Sequence, residues 1–208
     1  FRIRNIGNRL FTSIKMKMKK TGLFFGSFNP VHVGHTAIAN YMVEFTDLDQ
    51  LWFVVSPQNP FKKKSRLLAE YHRLELVNLA IGDSTLFKTS NVEFSLPQPS
   101  YTIDTLVYLK EKYPDNEFVL IIGSDNLPYL HKWKNYRQLL DNHELYVYPR
   151  PKVDANDFSG IGQLKIVEAP LMEISSSFIR NAIRNKKNVD FFLPCKVADY
   201  IKEMHFYE

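Results

Sequence analysis

The feature that most constrains this 208-residue chain is an alternation of two periodicities. From Thr21 onward, short β-rich runs are separated by segments whose apolar residues recur at helical spacing. Thr21–Phe25 reads as a first strand, while Leu51–Val55 and Phe118–Ile122 are apolar at every position. Strands apolar throughout are covered on both faces, because a sheet with one wet face would alternate. Between them, Ile38, Tyr41, Met42 and Phe45 mark one amphipathic helix. Tyr71, Leu74, Val77 and Ile81 mark a second over Arg66–Ile81, followed by a strand around Leu86–Phe94. Ile103, Leu106 and Val107 mark a third helix, ended near Tyr113-Pro114. The pattern continues with a helix at Trp133–Leu140, a strand at Glu144–Tyr148, a loop over Pro149–Gly162 and a strand at Leu164–Glu168. Helices over Ser175–Arg184 and around Val197, Tyr200, Ile201 and Met204 close the chain. Five or six strands interleaved with helices predict an α/β domain built on a doubly wound, mostly parallel open sheet. Such sheets bind ligands beyond the carboxyl ends of their strands.

Charge and cysteine content narrow the function classes. There are 27 basic and 22 acidic residues, but seven of the bases fall within residues 1–20, which hold no acid. The remaining body is therefore slightly acidic, which argues against a nucleic-acid-binding face on the folded part. Residues 1–20 are expected to be a basic leader, disordered or not native to the domain. A targeting role is the rival reading, given Thr12 and Ser13. Residues 21–208 are expected to form a single domain. No apolar run approaches the ~18 residues that span a bilayer. The one cysteine, Cys195, can make no internal disulfide, which points to a reducing cytoplasm.

The chemistry concentrates directly after the first strand, in Gly26-Ser-Phe-Asn-Pro-Val-His32-Val-Gly-His35. A glycine-framed strand-to-helix turn lets backbone approach a ligand closely and aims helix N–H groups at an anion. His32 and His35, three apart, share a helical face and can donate to charge developing on a transferring phosphoryl group. The bland alternative is a turn with a satisfied histidine and a chance neighbour. A zinc site lacks a third ligand nearby in sequence. Far along the chain, Ser175-Ser176-Ser177 precedes Arg180 at a helix start, offering hydroxyls, free N–H groups and a forked charge to phosphates.

These segments resemble the two signatures of the nucleotidylyltransferase superfamily. Gly26–His35 is similar to G-x-F-[DN]-P-x-H-x-G-H, and Ile174–Arg180 to I-S-S-T-x-I-R with Ser177 for Thr. Four further segments resemble nicotinate-nucleotide adenylyltransferases in particular. They are Pro57–Lys62, His72-Arg73-Leu74, Pro99–Leu106 (P-S-Y-T-x-D-T-L) and Ile122-Gly123-Ser124-Asp125 followed by Trp133. Phe25 and Phe61 depart from the family pattern, which has a glycine and a histidine there.

The resemblance implies a Rossmann-like nucleotidylyltransferase fold and transfer of AMP from ATP to nicotinate mononucleotide. It implies His32, His35, Lys62 and Arg180 as catalytic residues, with Gly26, Ser27 and Phe28 along the nucleotide. Ser176, Ser177 and Arg180 would hold the outer phosphates. Tyr101, Thr102, Asp125 and Trp133 would bind the mononucleotide. Mg²⁺ would arrive with ATP, bridging phosphates and keeping several waters, with no dedicated protein ligands. Each site residue has a plain rival: Trp133 as a core or rim aromatic, Asp125 as a helix cap, Tyr101-Thr102 as a helix start. Nicotinamide mononucleotide and 4′-phosphopantetheine are the rival acceptors. A nucleic-acid binder acting through the basic leader is the rival class. The expected partners are small molecules, without nucleic acid or membrane, and a homo-oligomer is left open.

Overall fold

In the computed structural model, residues 18–57, 67–151, 153, 155–158 and 160–208 are described. The leader, except for residues 18–20, and the Phe61 and Lys62 positions lie outside the described residues. The described residues form six strands, β1 (Lys19–Gly26), β2 (Gln50–Val55), β3 (Phe87–Ser90), β4 (Asn116–Gly123), β5 (Leu145–Tyr148) and β6 (Leu164–Ile166). They make one sheet in the order β3-β2-β1-β4-β5-β6, and every pairing is parallel. The α-helices are α1 (Val33–Glu44), α2 (Glu70–Ile81), α3 (Thr102–Lys112), α4 (Tyr136–Asn142), α5 (Ser176–Arg184) and α6 (Cys195–Glu203). No described helix is long and apolar enough to cross a membrane.

Every residue of β2 is buried, because successive side chains feed opposite layers. Leu51, Phe53 and Val55 pack with α1, α2, α5 and α6, whereas Trp52 and Val54 pack with α3 and α4. That two-sided coverage is the doubly wound α/β sheet expected from the sequence, with all of its strands parallel.

Several local expectations are corrected. Strand β1 begins at Lys19, so Lys19 and Lys20 belong to the sheet rather than to the leader. The second helix starts at Glu70, not Arg66, and its buried residues are Arg73, Leu76 and Val77, with Tyr71 63% exposed. Phe45 and Val107 are also exposed, so those stripes face water at one edge. Strand β3 stops at Ser90, and Val92–Phe94 is a short 3₁₀ helix. No helix runs from Trp133 to Leu140. A 3₁₀ helix occupies Ser124–Lys132, and α4 begins only after Asn135, whose φ of +50° interrupts helical geometry. Ala155–Phe158, expected as loop, is a further 3₁₀ turn.

Candidate active site

Strands β1 and β4 are neighbours, and the chain winds outward from them in opposite directions. The crevice at their carboxyl ends is the topological switch point of the sheet. Gly26 ends β1 there, and a Cβ on it would lie 2.8 Å from the Phe28 ring. The turn that follows holds Phe28 at a φ of +43° and brings His32 to the N-cap of α1. The Phe28 ring packs in the core against Phe24, Phe53 and His35, so the part of this residue free to run beside a nucleotide is backbone.

The His32 backbone N–H donates to His35 Nδ1 at 3.2 Å. An accepting Nδ1 puts the proton of a neutral His35 ring on Nε2, which makes that atom a donor. The two rings lie 3.7 Å apart between centroids. Burial, with the Arg150 charge adding to it, pushes the His32 imidazole down to about 4, so it is uncharged at neutral pH.

Helix α5 is docked onto this turn. Ser175 caps it by accepting the Phe178 N–H at 3.2 Å. Ser176 Oγ donates to the Pro30 carbonyl at 2.9 Å, and Arg180 Nη1 to the Asn29 carbonyl at 2.6 Å. Arg180 Nη2 donates to Ser177 Oγ at 3.1 Å. The two sequence signatures, separated by 146 and 151 positions at these contacts, are thereby joined. The Asn29 side-chain oxygen is also held, by the Leu68 N–H at 3.2 Å and by the Tyr207 hydroxyl at 2.8 Å.

A cavity of about 350 Å³ opens beside the turn. Six residues expected at a ligand line it: Gly26, Ser27, Tyr101, Thr102, Asp125 and Trp133. Trp133 stands at the end of the 3₁₀ helix and is partly buried against the α3–α4 layer. Asp125 Oδ1 faces Arg150 Nε at 3.9 Å. Gly123 makes room for that pair, since a Cβ there would fall 2.4 Å from Asp125 Oδ1. Phe28, His32, His35, Ser176, Ser177 and Arg180 do not line this cavity; they form the adjoining turn and helix end.

Three residues at the site carried no assigned role in the sequence. Arg73 is 1% exposed and donates to the carbonyls of Leu68, Ser27, Ser56 and Pro57 at 2.6–3.0 Å. Its only sequence signal was its place in the His72-Arg73-Leu74 resemblance. Arg150 follows β5 between two prolines and donates to the Met172 carbonyl at 2.9 Å. Glu93 is 3% exposed and lines the cavity. As a lone acid between Val92 and Phe94, it gave no signal. Among the described residues, no three His, Cys, Asp or Glu side chains cluster closely enough to hold a metal ion.

A switch-point turn joined to a serine-capped helix is an architecture for nucleotidyl transfer. The cytidylyltransferase-like family model matches residues 23–182, which sets that class. A relative from Flavobacterium psychrophilum, a "probable nicotinate-nucleotide adenylyltransferase", is 54% identical over 91% of this chain and 99% of its own length. One of the same name from Bacteroides thetaiotaomicron is 46% identical over 88% of this chain and 91% of its own. The chain belongs to the nicotinate-nucleotide adenylyltransferase family within that class. Its fold is shared by the Plasmodium falciparum nicotinic acid mononucleotide adenylyltransferase complexed with NaAD. That match has a TM-score of 0.77 at 21% identity, covering 91% of this chain and 97% of the other.

Proposed function

We propose that this protein transfers AMP from ATP to nicotinate mononucleotide, forming nicotinate adenine dinucleotide and pyrophosphate. The observation that carries the reading is the pair of bonds from Ser176 and Arg180 to the Pro30 and Asn29 carbonyls. They put two anion-binding devices side by side, next to a cavity lined by Tyr101, Thr102 and Trp133.

The chemistry asks little of the protein beyond placement. An acceptor phosphate oxygen bonds to the α-phosphorus of ATP, and the α–β bridging bond breaks to release pyrophosphate. A phosphate monoester with a second pKa near ~6 is already mostly ionised at neutral pH, so no general base is needed. Rate then depends on aligning two anions and stabilising charge at the α-phosphate. His35, with its proton on Nε2, serves as a donor there, and buried His32 adds no charge that would bind ground state and product alike. The N–H groups opening α5, with Ser177 and Arg180, suit the outer phosphates. Lys62 is assigned to the same phosphates by resemblance alone. With no carboxylate cage among the described residues, the donor set suits Mg²⁺ carried on the nucleotide, where it would neutralise phosphate charge. On the acceptor side, Trp133 offers a face for a pyridinium ring, Asp125 a ribose partner, and the Tyr101–Thr102 backbone donors for a carboxylate. Cys195, an exposed free thiol, suits a reducing compartment such as the cytoplasm.

The test is pyrophosphate release with ATP and each of nicotinate mononucleotide, nicotinamide mononucleotide and 4′-phosphopantetheine. The expected result is the highest kcat/KM for nicotinate mononucleotide, with His35→Ala slower by ~10²–10³ in kcat. A preference for 4′-phosphopantetheine, or a near-normal His35→Ala, overturns the assignment.

A further inference from the structure

Glu93 sits in the 3₁₀ helix after β3, and its carboxyl lies among the hydroxyls of Ser56, Ser100 and Thr105. Thr105 Oγ1 is 3.0 Å from Glu93 Oε1 and 3.3 Å from the Tyr101 carbonyl oxygen. Gln98 Nε2 donates to the Glu93 carbonyl at 2.9 Å, fastening the same loop from its other side. The Tyr101 carbonyl shares a peptide with the N–H of Thr102. Thr102 opens α3, where N–H groups have no intrahelical acceptor, and it lines the cavity.

A hydroxyl carries one proton, so Thr105 cannot serve both neighbours at once. When the carboxyl of Glu93 holds a proton, it donates to Thr105 Oγ1, and Thr105 donates onward to the Tyr101 carbonyl. A bond to that carbonyl polarises its peptide and strengthens the Thr102 N–H as a donor. An ionised Glu93 would instead draw the Thr105 proton to itself and set a negative charge beside the start of α3. Resting on the adenylyl-transfer reading above, we propose that Glu93 is a positioning residue for acceptor specificity. Through Thr105 it directs the Tyr101–Thr102 peptide toward an acidic ring substituent and against the corresponding amide.

Burial, opposed by the three hydroxyls, pushes the Glu93 carboxyl above its ordinary range. The charged and titratable groups lining the cavity with it are Tyr101, Asp125, Lys134 and Tyr148. Lys134 is paired with Asp104 of α3 at 2.7 Å, Asp125 faces Arg150, and Lys88 of β3 lies over the Trp52 ring. The partners hydrogen-bonded to the Glu93 carboxyl itself are uncharged hydroxyls.

The test compares kcat/KM for nicotinate and nicotinamide mononucleotides, together with KM for ATP, from mildly acidic to alkaline pH. It uses the wild type, Glu93→Gln and Thr105→Val. The acceptor phosphate titrates identically in both substrates and cancels in their ratio. The wild type should prefer the acid, with the preference falling as pH rises through Glu93 ionisation. Glu93→Gln, which cannot ionise, should hold a flat ratio. Thr105→Val, close to isosteric and uncharged, should cut the ratio roughly three- to tenfold and leave KM for ATP unmoved. Three results overturn the proposal: the same pH course in wild type and Glu93→Gln, equal losses for acid and amide in Thr105→Val, or a wild-type preference for the amide. A wild type that uses neither mononucleotide removes the underlying reading instead, and this inference with it.

Discussion

The two edges of the sheet handle positive charge in opposite ways. At the amino-terminal edge, cations meet carboxylates. Lys20 Nζ lies 2.8 Å from both Asp47 and Glu144, and Lys165 lies 3.1 Å from Asp47, which also accepts the Tyr146 hydroxyl. Burial opposes the Lys20 charge, but these bonds outweigh it and hold the ammonium above its ordinary range. At the carboxyl edge, two arginines are fastened by neutral carbonyls, Arg73 by four and Arg180 by that of Asn29. Arg150, which faces Asp125 at 3.9 Å, is hydrogen-bonded to the Met172 carbonyl. A carboxylate fixes a cation and cancels its charge, whereas a carbonyl fixes it and leaves the charge in place. The first arrangement serves an edge that has only to hold together. The second suits the phosphate contacts proposed above.

The contrast can be broken most severely at Arg73. Arg73→Met strands four buried carbonyls, and the expected loss of stability is about 3–5 kcal/mol in urea unfolding. A loss below about 1 kcal/mol would mean that the carboxyl edge does not depend on this side chain.

His32 gives the next effect, through pH. Its pKa falls from 6.5 in the unfolded chain to about 4 in the folded one. Between those values the unfolded chain binds more proton, so stability is intact above that window and declines as pH falls through it. The decline reaches about 3 kcal/mol. Unfolding midpoints measured across the window should slope in the wild type and lose that component in His32→Asn. Parallel slopes would show that the folded imidazole titrates normally.

Arg180→Ala separates charge from scaffolding. KM for ATP should rise by ~10- to 100-fold, because a forked cation near phosphate is removed. A change in thermal stability alone would make Arg180 a strut between α5 and the turn. Lys20→Met, at the opposite edge, should have the smallest effect. Its partly exposed pairs contribute about 1 kcal/mol or less, and KM values should not move. Altered ATP affinity in Lys20→Met would blur the distinction between the edges.

What could be read from the sequence follows from range of interaction. Buried parallel strands announce themselves because every position of Leu51–Val55 and Phe118–Ile122 is apolar. The turn at Gly26–His35 and the serines at the start of α5 are local devices, complete within ten residues. Helical stripes were less faithful. Spacing placed Tyr71 inward and said nothing for Arg73, yet Arg73 is the buried residue because carbonyls 16, 17 and 46 positions away satisfy it. Glu93 likewise owes its setting to Thr105, 12 positions on, which no local pattern encodes. The missing helix at Trp133 has a different cause. Apolar spacing cannot register one left-handed residue, Asn135, that breaks the run.

The bond between Tyr207 and Asn29 joins positions 178 apart. A ribosome delivers Asn29 long before Tyr207. The turn that carries Asn29 thus waits for one of its supports, and Ser176 and Arg180 also follow it by some 150 positions. All six strands precede α5, so a nascent chain that stalls there carries every strand of the sheet but a turn at Asn29 without its supports. On the adenylyl-transfer reading, a chain cut off before α5 is therefore expected not to sequester nucleotide, although its sheet is whole.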